Sequence, residues 1–143
     1  MKGTFDLKKW MYGTLAVFVF ISLFEYPVRH WILAPMHPEI PSAAPESTML
    51  LRIAIYLGRL IFSAVFAFVF TKGYEGKSGI GEGLRFGLWI GLLVYLPAFI
   101  PNIVGGISPA DQLIVRTLLS LVESVLSGTV LSLVYRPNAS ARA

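Results

Sequence analysis

Residues 79–101 read GIGEGLRFGLWIGLLVYLPAFIP, with glycine at positions 79, 83, 87 and 91. In a helix, a residue repeated every fourth position stays near one face. On an apolar helix such a strip of glycines lets a second backbone come close, as in the GxxxG pairs of membrane helices. Gly83, Gly87 and Gly91 form two overlapping motifs of this kind. The later stretch 112–135 carries a matching series of small residues, Ser120, Ser124, Gly128 and Ser132. A short loop joins the two stretches, so the pattern predicts a closely packed antiparallel helix pair. A substrate groove between them is the alternative.

The rest of the chain extends this reading. Of its 143 residues 55% are hydrophobic and 14% charged, and the mean hydropathy is +0.69. A soluble domain of this size needs more polar surface than that. Four apolar stretches stand out, at about residues 10–33, 49–71, 83–103 and 112–135. Each has about 20 residues or more, enough at about 1.5 Å per residue to cross a hydrocarbon core of about 30 Å. The expected fold class is all-α: one integral membrane domain over 1–143, a four-transmembrane-helix bundle with a proline-rich outer loop at 34–48. Its first partner is the lipid bilayer. The net charge of +4 lies beside the spans, where anionic headgroups account for it without nucleic acid. The absence of cysteine excludes disulfides, thiolate metal sites and thiol catalysis.

Lys2, Lys8 and Lys9 before an apolar run imitate a signal peptide. The nearest small-residue site, Ser42-Ala43-Ala44, is far from that run and is followed by Pro45, so the segment reads as an uncleaved first span. Lys2, Lys8, Lys9, Lys72, Lys77, Arg85, Arg136 and Arg142 collect on one side of the predicted spans, with Arg29 on the other. By the positive-inside rule both termini and the loop 72–81 are cytoplasmic, as in a multi-pass protein of a bacterial inner membrane. Trp10, Tyr74 and Tyr135 suit an inner aromatic belt, and Tyr26 and Trp31 an outer one. The outer loop from Pro27 onward, dense in proline, is expected to be non-helical, with HWIL at the interface. Ser108 and Asp111 are candidate N-caps of the fourth span, with Pro109 near its first turn.

The two helical hairpins also resemble each other. Gly13, Leu23 and Pro27 recur as Gly83, Leu93 and Pro97, and Arg52, Arg59, Ser63 and Ala64 as Arg116, Glu123, Ser127 and Gly128. A duplication of this kind gives parallel-related repeats about an axis along the membrane normal. Chance similarity between apolar helices is the competing account.

Charges inside the spans carry the sharpest expectations. Arg59 lies about 15 Å along its helix from Met49, and Glu123 about 18 Å along its own from Asp111. Both fall near mid-bilayer, where an ionised side chain costs about 2.5–3.5 kcal/mol on insertion scales and turns towards a partner. Opposite charge and similar depth predict an Arg59–Glu123 pair across the repeat axis. One heptad nearer the outside stand Arg52 and Arg116, for which Glu25 is the expected acid and Asp111 the competitor. These charges either neutralise one another and fix helix register or line a path for ions or protons. Pro97 and Pro101 in the third span, and Pro27 in the first, are expected helix kinks, each lacking a backbone donor. Such kinks would open a small outward vestibule.

Several look-alikes carry no site. GYEGKSG contains G-K-S, yet Thr71 stands where a phosphate-binding loop needs its first glycine, and GIGEG follows an apolar helix rather than a strand. His30 and His37, with Glu39, form no constellation for metal or haem. No metal or other cofactor is expected, and Ser63 and Ser127 read as small packing residues rather than nucleophiles.

The segment TKGYEGKSGIGEGLRFGLWIGLL, with the closing LVYRP, resembles small, uncharacterised four-helix bacterial integral membrane proteins. The resemblance implies no activity, cofactor or functional residue. The reading that follows is a non-enzymatic accessory or scaffold subunit packing with another membrane protein or as a homo-oligomer. The alternative is a small transporter or channel, for an anion or coupled to protons, built by dimerisation around the intramembrane charges.

Overall fold

A computed structural model describes residues 6–36, 38, 49–73, 80–106 and 108–135. The expectations placed on Lys2, His37, Glu39, Tyr74, Lys77, Gly79, Arg136 and Arg142 fall outside these residues. The described chain is helical: α1 (Leu7–Met36), α2 (Met49–Gly73), α3 (Ile80–Val104) and α4 (Ala110–Val134). All four are long and apolar enough to cross a membrane. They run alternately up and down. The bundle therefore has a terminal end, near Leu7, Gly73, Ile80 and Val134, and a distal end, near Met36, Met49, Val104 and Ala110.

Two of these helices differ from expectation. α1 does not stop at Pro27 but continues to Met36, with a π-helical stretch over Val28–Leu33. There the Ala34 N–H reaches back five residues to the Arg29 carbonyl. The wider turn suits the next residue, Pro35, which has no N–H and whose ring would meet the carbonyl four positions back in a regular helix. The imidazole Nδ1 of His30 lies 2.9 Å from the Tyr26 carbonyl oxygen, and the two rings stack at 4.3 Å. At its other end α1 is capped by Asp6, whose carboxylate accepts from the Lys9 N–H. The second correction concerns α4. Pro109 occupies its N-cap position, with no side-chain cap bond. Ser108 precedes the cap and Asp111 lies in the first turn, so neither has the position a capping side chain requires.

α3 packs mainly on α4, while α1 packs on α2 and on α4. The closest packing is at the terminal end. A Cβ on Gly83 would run into the Gly128 carbonyl, and one on Gly87 into the Ser124 carbonyl; Gly128 meets Gly83 in return. Gly91 comes slightly less close, its added Cβ lying 3.1 Å from Ser124 Cβ. Ser124 Oγ donates to the Gly87 carbonyl at 2.8 Å, tying together the helices that these residues bring into contact. On the other side Gly13 leaves room for Leu131, whose Cδ2 would lie 2.9 Å from an added Cβ. Trp10 Nε1 donates to the Ala64 carbonyl at 3.0 Å.

The apolar core of Val17, Ile21, Phe66, Ala67, Phe70, Leu131 and Tyr135 fills the space between these contacts. Phe86 of α3 meets Phe66 and Phe70 of α2 edge-on, at 5.1 and 5.0 Å. Aromatic edges therefore close the terminal end between the two helices that otherwise barely touch. Tyr135, just past α4, adds its ring 5.5 Å from Phe70.

Candidate functional site: a charged vestibule

Towards the distal end the packing opens. Every residue of α2 from Met49 to Gly58 is exposed, as are most of those of α3 beyond Leu92. Two cavities occupy this half. One, of about 340 Å³, lies between α3 and α4 and includes Asn102, Gln112 and Thr117 in its wall. The other, of about 280 Å³, draws its walls from all four helices: Glu25 of α1, Arg59 of α2, Tyr95 of α3, and Arg116 and Glu123 of α4. Tyr95, Arg116 and Ser120 line both, so the two form one vestibule. Its deep end meets Ile21, Phe62 and the sealed core. α3 passes through Pro97 and Pro101 without interruption, and Ala98 and Phe99, between them, line the wider cavity. There the Asn102 amide donates to the Ala98 carbonyl at 2.6 Å.

The ion pair in this vestibule corrects the sequence expectation. Arg59 Nη2 pairs with Glu25 Oε2, not with Glu123. The reason lies in the length of α1. Because the helix runs on to Met36, Glu25 sits about 16 Å in from its distal end, level with Arg59 at about 15 Å from Met49. The acid expected near the outer rim is at mid-depth, on the helix that packs directly against α2. α2 and α4, by contrast, scarcely meet. Arg59 also stands 5.4 Å over the Tyr56 ring, and its carbonyl accepts from Ser63 Oγ at 2.8 Å. Glu123 lines the same cavity, close enough to feel the Arg59 charge, but the pair itself belongs to the first hairpin.

Of the expected outer layer, Glu25 is engaged by Arg59. Arg52 is on the exposed distal part of α2, Asp111 is exposed in the first turn of α4, and Arg116 is at the vestibule. Two bases and two acids line the smaller cavity. The alignment that sets Pro27 on Pro97 also sets Glu25 on Tyr95. The Glu25–Arg59 pair of one hairpin is answered in the other by Tyr95 and Glu123, the phenol lying within electrostatic reach of Glu123 and of Arg116. Tyr95 was legible only through the repeat. Ser120 belongs to the vestibule rather than to the glycine seam, whereas Ser124 and Gly128 belong to the seam.

This arrangement offers a recess with fixed charges and hydroxyls, able to hold a polar group between the helices. Among the described residues no group of acids and histidines has the makings of a metal site. No family model, curated protein or solved structure matches the chain.

Proposed function

We propose that this chain is a non-enzymatic accessory or scaffold subunit of a membrane, packing beside another membrane protein or a second copy of itself. The observation that carries the reading is the distal part of α2. Ten successive helical residues, Met49 to Gly58, are exposed. Exposed helix surface of this length, apolar at Leu50, Leu51, Ile53 and Tyr56, offers a partner helix a place to pack. The cations Lys8, Lys9, Lys72 and Arg85, all at the terminal end, support an orientation with both termini cytoplasmic. A bacterial inner membrane fits this reading, as does kinship with small four-helix bacterial membrane proteins. Gentle purification from the source membrane with mass spectrometry of co-migrating proteins tests it. A stoichiometric companion, or a homo-oligomer lost on Leu51→Arg, is the expected result; a monomer alone overturns the proposal.

One observation favours a second reading, transport. The vestibule is open at the distal end and sealed at the other, the form of a one-sided access state. Under this reading Glu123→Gln abolishes flux in liposomes while leaving the melting temperature unchanged. Unaltered flux would remove Glu123 from any pathway. The natural lack of cysteine makes a direct check simple. An aqueous thiol reagent should label Ser120→Cys at the vestibule and spare Ser127→Cys, which is 1% exposed.

A further inference from the structure

We propose that the vestibule is a binding site for a zwitterion, its cationic group held at Glu123 and its anionic group at Arg116. The inference goes beyond the accessory reading and does not need a protein partner. Of the four charges in the smaller cavity, Glu25 and Arg59 neutralise each other. The two that remain are one acid and one base. Among the described residues neither Glu123 nor Arg116 has an ion pair or hydrogen bond from its side chain; what reaches them is longer-range, from Arg59 to Glu123 and from each to Tyr95.

Position orders these charges. Glu123 and Arg116 are seven residues apart on α4, about 10.5 Å along the axis and on nearly one face. Arg116, exposed and shared by both cavities, is nearer the distal mouth, and Glu123 is deeper. Ser120 stands between them on the same helix, and Tyr95 faces them from α3. An ionised group at this depth is costly without a counter-charge.

A lone cation seeking Glu123 would have to settle with the Arg116 guanidinium beside its route. A lone anion held at Arg116 would leave Glu123 unanswered. A molecule with both charges, ordered cation inward, meets each with its complement and adds no net charge to the recess. The volumes suit a small polar headgroup. An ammonium joined to a phosphate or carboxylate by a short linker has this chemistry. It can come from a lipid headgroup or from a soluble molecule of the same kind.

The test uses the full chain in detergent, mixed with equal amounts of phosphatidylethanolamine and phosphatidylglycerol and read by native mass spectrometry. A preference of about tenfold for the zwitterionic lipid is expected, on the scale of one charge-assisted contact. Arg116→Ala and Glu123→Gln should each lower that preference about tenfold, while Arg85→Ala, at the terminal end, leaves it unchanged. Glycerophosphoethanolamine added at millimolar concentration distinguishes the sources. Displacement of the lipid supports recognition of the charged group alone, and its failure supports an amphiphile whose chains contribute. Equal retention of the two lipids together with no saturable binding of the soluble zwitterion overturns the proposal, as does retention unchanged by Arg116→Ala. If the Glu123 variant does not fold, Arg116→Ala decides, because this side chain is exposed.

Discussion

The two ends of this bundle are built from the same four helices and on opposite principles. At the terminal end, backbone touches backbone across Gly83, Gly87 and Gly128, and aromatic rings fill what remains. At the distal end the helices part around four charged side chains, and the first turns of α2 are exposed. In lipid, helices gain nothing by hiding apolar surface from one another, so association depends on close fit and on polar contacts. The end with small residues obtains the fit. The end with large and charged residues cannot close, and the result is a recess. Rigidity and binding capacity are thus divided along the helix axis.

The largest test of this contrast is to ruin the fit. Gly87→Val places branched carbon against the Ser124 carbonyl and the Val125 backbone, which cannot move aside as a flexible side chain would. A loss of at least about 3 kcal/mol is expected, visible as a collapse of the melting temperature in detergent. A small effect would mean that the seam between α3 and α4 is looser than described.

Next comes the ion pair. Glu25→Gln leaves Arg59 without its partner, and a loss of about 1–3 kcal/mol is expected, moderated because the pair is partly open to the vestibule. Glu123→Gln, with no ion pair to break, should change stability by less than about 1 kcal/mol. The double variant Glu25→Gln/Arg59→Met should recover most of the first loss. Reversal of the two single effects would restore Arg59–Glu123 as the operative pair.

Ser124→Ala removes the hydroxyl bond to the Gly87 carbonyl across the glycine seam. A loss of about 0.5–1.5 kcal/mol is expected, small because membrane interhelical hydrogen bonds contribute modestly. The least effect belongs to Gly58→Ala on the exposed part of α2. An added Cβ there meets nothing within 4 Å, and stability should stay within about 0.5 kcal/mol of the parent. A marked loss from this substitution would instead indicate a partner already seated against α2.

The sequence by itself determined the number of spans and the alternation of their directions, because length and hydropathy are local properties and lipid requires helix where the backbone cannot meet water. The positions of Gly83, Gly87 and Gly91 at regular spacing likewise gave a face without needing a neighbour. It also marked Arg59, Glu123, Glu25 and Arg116 as charges that must be answered. Which charge answers which was decided only by tertiary structure. Pairing depends on relative depth, and depth depends on where a helix ends. The proline-dense stretch from Pro27 onward suggested an early end for α1, whereas a π-helical turn carries it on to Met36. That extension sets Glu25 level with Arg59, and the packing of α1 on α2 brings them together. Glu123 and Arg116 are left facing the open space of the vestibule.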